Sequence, residues 1–190
     1  MTEFKNITKA YGGQVIFEDF SLSVPDGKHV TVMGRSGSGK TTLLRIAAGL
    51  TMPDSGEFTH SGNVAVMFQE PRLLPWKTAR DNICSVIGKG SASLADKYLS
   101  AVGLADFSEK YPHELSGGMA QRVSFARFLA YAEDIRADLL LLDEPFSALD
   151  GDTAANMIEL LKDFSCGKTL ILVSHDESDA LLLGGDIIRI

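Results

Sequence analysis

The sequence predicts an α/β fold built on a mostly parallel sheet. Three observations carry that expectation. Strand-like and helix-like apolar patterns alternate along the chain. Two short apolar runs, Leu139–Leu142 and Thr169–Ser174, read as strands buried on both faces. A glycine-rich stretch, Gly34–Thr41, joins a strand pattern to a helix pattern.

The elements follow in order. Residues 1–32 read as short strands, with Phe4, Ile7 and Val15–Phe17 apolar and Asp26-Gly27 as a turn. His29–Met33 is a strand that runs into glycines. From Lys40 the pattern KTTLLRIAAGL is a helix ending near Gly49, with Pro53 just beyond. Val64–Phe68 is a further strand. Between about 72 and 114 the character changes: Pro71 and Pro75 break the chain, and LADKYLSAVGL reads as short helix. Val123–Tyr131 continues a helix after the pair Gly117-Gly118. Ala154–Phe164 is an amphipathic helix, Asp176–Leu183 a short one, and Asp186–Ile190 the last strand.

The bulk numbers bound the function. With 190 residues, 45% hydrophobic and 23% charged, the chain suits one domain with a core of ordinary size. A formal net charge of -7 argues against a general nucleic-acid binder, which needs a basic face. Cys84 and Cys166 lack metal-ligand spacing and read as reduced thiols. The N-terminus MTEFKNITKAYGG has no apolar h-region, and no run approaches the roughly 18 apolar residues of a membrane span. The expectation is a soluble chain able to dock on a membrane partner.

Gly34-Arg35-Ser36-Gly37-Ser38-Gly39-Lys40-Thr41 matches G-x-x-x-x-G-K-[ST] at every defined position. Glycines let successive N–H groups converge on phosphate oxygens, and the helix from Lys40 adds its positive end. Lys40 reaches the outer phosphates, and the Thr41 hydroxyl is a magnesium ligand. Asp143 and Glu144 follow the four leucines at a strand's carboxyl end, where open α/β sheets bind ligands. Asp143 then faces the metal through Thr41 or a water, and Glu144 poises a water for attack on the γ-phosphate. The same acid pair, with Pro145 behind it, would also serve as a helix start. His175 ends the TLILVS strand beside the same expected site. His29, His60 and His113 have no such placement.

These pieces, in this order, resemble the nucleotide-binding subunit of ABC (ATP-binding cassette) transporters. Leu115-Ser116-Gly117-Gly118-Met119 matches the family's signature, Gln69 its Q-loop, Ser147-Ala148-Leu149-Asp150 its D-loop, and His175 its switch histidine. The resemblance covers essentially all of the chain. It implies a P-loop NTPase (RecA-like) core, an N-terminal antiparallel β subdomain and an inserted α-helical subdomain. Residues 1–71 and 129–190 would form the core of a single 1–190 domain, and 72–128 the helical part. The usual C-terminal extension is expected to be absent after Ile190. ATP would be held by Tyr11 and Val15 on adenine and by Gly34 to Thr42. Thr41, Gln69 and Asp143 would hold Mg²⁺, and Glu144, His175, Lys40 and Gln69 would act in hydrolysis.

In this family, cassettes pair head to tail on ATP, so the signature loop of one copy closes on nucleotide held by the other. Ser116 offers a hydroxyl, and Gly117 and Gly118 offer N–H groups at a helix mouth. The run Phe68–Trp76, FQEPRLLPW, followed by Thr78 and Asn82, resembles the nitrate/sulfonate/taurine importer branch. There the segment lies beside the groove for the permease, which makes Arg72, Leu73, Leu74 and Trp76 docking candidates, with core packing the competing role for Leu73, Leu74 and Trp76. The implied partners are transmembrane permease subunits and, indirectly, an extracytoplasmic solute-binding protein. The implied location is cytoplasmic, peripheral on the inner face of the cell membrane. A cofactor-assembly cassette is the alternative of similar size. A DNA-repair cassette would need a long coiled coil between P-loop and signature, and a translation cassette a second copy in the chain. Ala120 stands where the branch carries a longer polar residue.

Overall fold

The computed structural model describes residues 1–88 and 92–190. In chain order its elements are β1 (Thr2–Tyr11), β2 (Gln14–Val24), β3 (His29–Met33), α1 (Lys40–Ala47), β4 (Ser55–Thr59), β5 (Val64–Met67), α2 (Ala79–Cys84), α3 (Ala92–Ala101), α4 (Gly117–Asp134), β6 (Leu139–Asp143), α5 (Gly151–Phe164), β7 (Thr169–Val173), α6 (Glu177–Leu183) and β8 (Asp186–Arg189). Two 3₁₀ turns, Ala105–Phe107 and Pro112–Glu114, lie between α3 and α4.

Five strands form a parallel sheet in the order β5-β6-β7-β3-β8. β6 lies inside it, which explains the leucine run. Strand side chains alternate between faces. Leu139 and Leu141 join α1, β3 and the N-terminal strands in one apolar cluster. Leu140 and Leu142 join α2 to α5 in another. All four are fully buried, so both faces of the strand are covered. β7 repeats the pattern, with Ile171 and Val173 on the first side and Leu170 and Leu172 on the second. This sheet sends the ends of β3, β6 and β7 to one edge, and the loops that follow them build the site.

A separate antiparallel sheet, β2-β1-β4, covers the α1 side. β1 and β2 turn on Gly12 and Gly13, both at positive φ (56° and 87°), as a two-residue hairpin loop requires. Phe4, Phe17 and Phe20 come from the hairpin and Phe58 from β4, and their rings pack together. The helices between β5 and β6 share one core with the sheet: Ile83, Leu99, Val123 and Leu129 sit in the same cluster as Ala65 and Leu142. α4 is a continuous helix from the glycine pair to Asp134, longer at both ends than its apolar pattern indicates. No helix among the described residues is long and apolar enough to cross a membrane.

Candidate functional site

β3 delivers the chain to the loop Gly34–Gly39, and α1 begins at Lys40. Gly39 takes φ 99°, and a Cβ there would stand 2.5 Å from Ile16 and 2.8 Å from Phe17. Only glycine lets this turn close against β2. α1 has no side-chain cap and no acid in its first turn, which leaves its leading N–H groups to an anion. Lys40 Nζ donates to the carbonyls of Gly34 at 2.8 Å and Arg35 at 3.0 Å, which aligns the ammonium along the loop.

β6 brings the acids. Thr41 Oγ1 donates to Asp143 Oδ2 at 2.7 Å, joining the start of α1 to the end of β6. Burial pushes the Asp143 carboxyl above the usual carboxylate range, while the Thr41 hydrogen bond and the charges of Lys40 and Arg45 pull it back. Glu144 turns out of the strand at φ 49°, and its N–H donates to the Val173 carbonyl of β7 at 2.9 Å. Its Oε2 lies 2.5 Å from His175 Nδ1. Ser174 and Asp176 hold the loop on either side of His175. Ser174 Oγ donates to Asp179 Oδ2 at 2.7 Å and accepts from Asp176 N at 3.0 Å.

A cavity of about 480 Å³ opens between these elements. Its walls include Gly34, Ser36, Gly37, Gly39, Lys40, Thr41 and Thr42 from the loop and α1, Gln69 after β5, and Asp143, Glu144 and His175. Residues predicted from four separate stretches therefore meet in one place. Arg35 and Ser38 line a neighbouring cavity instead, and the Ser38 hydroxyl is buried beneath the loop. Tyr11 and Val15 lie at the hairpin, 45% and 57% exposed, outside the cavity lining. Ile16, which the sequence reading missed, lines it. Leu115–Met119 and Ser147–Asp150 also lie outside it. Ser116 caps α4 by accepting from Met119 N at 3.2 Å, and Ser147 and Leu149 border a smaller space behind Glu144 and His175.

The donor set suits Mg²⁺, a hard cation that takes oxygen ligands and shares them with phosphate. The Thr41 hydroxyl, the Asp143 carboxylate and the Gln69 amide border the same space.

A second cavity, about 260 Å³ and apolar, lies between β5 and α4. Val66, Phe68, Phe128 and Tyr131 form its walls, with Arg72 at its rim. Arg127 holds that rim by donating to the carbonyls of Pro71 at 2.6 Å and Arg72 at 3.1 Å. Leu73 packs on the helical core, and Trp76 is 70% exposed. Asn82 is fully buried and latches the segment. Its amide accepts from Leu74 N and donates to the carbonyls of Leu74, Lys77 and Thr78.

Comparison with known proteins agrees with this geometry. The family model for ABC transporters matches residues 17–147. The aliphatic sulfonates import ATP-binding protein SsuB of Mycobacterium avium is 41% identical over 194 residues, spanning 98% of this chain and 76% of its own. SsuB 3 of Pseudomonas syringae pv. tomato is 40% identical over 196 residues, spanning 98% and 71%. Among solved structures, the dimeric ABC transporter cassette MJ0796 superposes with a TM-score of 0.89 at 30% identity, covering all of this chain and 94% of that one. The same cassette in a post-hydrolysis dimer bound to ADP and Pi gives 0.88. By its P-loop, its paired acids, the matched family model and relatives at this identity over nearly its whole length, the chain belongs to the ABC transporter family of ATP-hydrolysing subunits.

Proposed function

We propose that this ABC ATPase powers import of a small sulfonate-type solute through membrane permease subunits, on the inner face of the membrane. The observation that carries the ATPase half is the single cavity shared by Lys40, Thr41, Gln69, Asp143, Glu144 and His175. The loop N–H groups and Lys40 bind the phosphates, with Tyr11, Val15 and now Ile16 on the adenine side. Glu144 accepts the proton of the attacking water, and His175, 2.5 Å from it, holds that carboxylate in place beside the γ-phosphate. Mg²⁺, when bound at Thr41, Asp143 and Gln69, neutralises charge that develops on the phosphate oxygens.

Two further observations support the remaining half. Gly117 has no positive φ, and a Cβ built there meets nothing within 4 Å. Neither this chain's backbone nor its own packing requires glycine at 117. The open space there suits a ligand that arrives from outside, on a partner copy's P-loop. The helix mouth there carries no acidic residue. The apolar cavity of about 260 Å³ lined by Arg72 offers a seat for a side chain of the permease's coupling helix, with the exposed Trp76, and Leu73 and Leu74, on the segment that follows Arg72, and with residues 72–128 as the helical part. The relatives quoted are import subunits, so a cofactor-assembly role is not favoured. The expected partners are thus a permease pair, an extracytoplasmic solute-binding protein acting through it, and a second copy of this chain.

Disruption of the gene tests the import reading. Growth with an alkanesulfonate as sole sulfur source is expected to fail while growth on sulfate is normal, and the intact gene but not a Lys40→Ala copy restores it. Unimpaired growth on the alkanesulfonate overturns the solute class.

A further inference from the structure

The face of α4 that begins at the signature also grips the segment that carries Glu144. Gly118, Gln121 and Phe125 fall at i, i+3 and i+7, one stripe of the helix. All three face the chain just after Glu144. A Cβ added at Gly118 would stand 3.4 Å from the Ala148 carbonyl oxygen and 3.6 Å from Leu149. Phe125 meets Phe146 edge-on at 5.8 Å between centroids. Between them Gln121, 2% exposed, donates from Nε2 to the Pro145 carbonyl at 2.9 Å.

Gln121 is the odd member of its surroundings. Val123, Phe125 and Ala126 fill neighbouring space with apolar groups. A buried amide is costly unless bonded, and this one spends its donor on another segment's main chain. That segment is stiff. The proline ring fixes φ at 145, which removes one of the rotations between the Glu144 α-carbon and the Pro145 carbonyl, and Glu144 is itself held at φ 49°. A movement of α4 therefore reaches Glu144 through one hydrogen bond.

We propose that Gln121 is a positioning residue. It carries closure of the signature loop on the partner copy's ATP to the Glu144 carboxylate of its own copy, so that hydrolysis in one site depends on occupancy of the other. This inference rests on the head-to-tail dimer proposed above.

Mixed dimers, purified with two different tags, test it. One copy carries Glu144→Gln, so only the other copy's carboxylate works. Gln121→Met, which keeps length and removes the donor, is placed on either copy. On the working copy it is expected to lower kcat at least tenfold, with KM for ATP within twofold. On the Glu144→Gln copy it is expected to leave kcat within twofold. Equal effects from both placements, or none from either, overturn the positioning role. Lys40→Ala on the Glu144→Gln copy, which empties the other site, is expected to lower the working copy's kcat with Gln121 intact and to have no further effect with Gln121→Met. An equal drop in both overturns the coupling, because a merely local support of Glu144 does not respond to the other site. If Glu144→Gln with Gln121 intact forms no ATP-dependent dimer on sizing chromatography, the dimer reading fails and takes the coupling with it. A dimer that forms with no placement effect removes the coupling alone.

Discussion

Consecutive residues of a strand point to opposite faces, yet Asp143 and Glu144 line the same cavity. The left-handed backbone at Glu144 (φ 49°) resolves that conflict. A side chain there costs about 1–3 kcal/mol, strain of the kind stored at functional sites. The Val173 carbonyl, accepting from Glu144 N, helps to hold it. Asp143 bears a different cost. It is 3% exposed, and its nearest donor is the Thr41 hydroxyl. Thr41→Val, which keeps shape and removes that donor, should lower stability without nucleotide by about 2 kcal/mol, the range for a hydrogen bond to a charged group. The sign of the pH dependence follows. Burial raises the folded-state value of Asp143 above its ordinary one, so the folded protein keeps this proton to higher pH than the unfolded chain. Its contribution to stability therefore falls as pH rises through that raised range, and removing the Thr41 donor extends the loss upward. Urea unfolding of both proteins from about pH 4 to about pH 7 checks this. A variant whose deficit does not grow across that interval would show that Thr41 does not stabilise the charge.

At the scale of elements, three helices end alike. After α1, Leu50 N donates to the Arg45 carbonyl and Gly49 N to that of Ile46. After α3, Leu104 and Gly103 make the same pair of bonds to Leu99 and Ser100. After α4, Ala137 and Arg136 make it to Ala132 and Glu133. Each is a Schellman ending with a left-handed residue, at φ 69°, 70° and 52° respectively, but only α4 places a non-glycine there. Arg136 is exposed and lines a surface hollow away from the proposed nucleotide cavity. Arg136→Gly should therefore raise stability by about 0.5–1 kcal/mol with ATP turnover unchanged. A thermal melt reads the first, and a lower midpoint would mean that Arg136 contributes more by contact than it costs in strain. The same elements show what the sequence could reveal. The leucine run and TLILVS were legible as buried strands because burial on both faces leaves no polar position to misread. α4 was read short because two glycines start it and they disfavour helix, while the Ser116 cap that compensates is a single residue. Val15 rests on the family resemblance and not on a strand pattern. Ile16 beside it lines the cavity, and the three shifts of register between β1 and β2 leave no simple alternation from which to read that face. The Gln121–Pro145 bond joins distant segments and leaves no local pattern at all.

For the whole molecule, the two proposed nucleotide-binding surfaces lie on different parts of one chain. The cavity at the ends of β3 and β6 has its own walls and does not include the signature loop. A monomer can therefore bind ATP with one half of the composite site, and the other half adds affinity only when a second copy docks. These two steps have separate thermodynamic signatures. Any ligand that binds only the folded state stabilises it by RT ln(1 + [L]/Kd), about 2.7 kcal/mol at 100 times Kd. For a chain of this length that is a rise of roughly 5–10 °C in melting midpoint. Glu144→Gln with Mg²⁺ and ATP should show this rise plus a further one that grows with protein concentration, because dimerisation is bimolecular. Adding Ser116→Arg, which places a long cation at the exposed mouth of α4, should abolish the concentration-dependent part and keep the rest. Lys40→Ala should abolish both, since without the loop's ammonium neither copy holds the nucleotide on which the other closes. A Ser116→Arg protein that keeps its concentration-dependent rise would place the dimer contact elsewhere, and the composite site would have to be abandoned even though the P-loop still binds ATP.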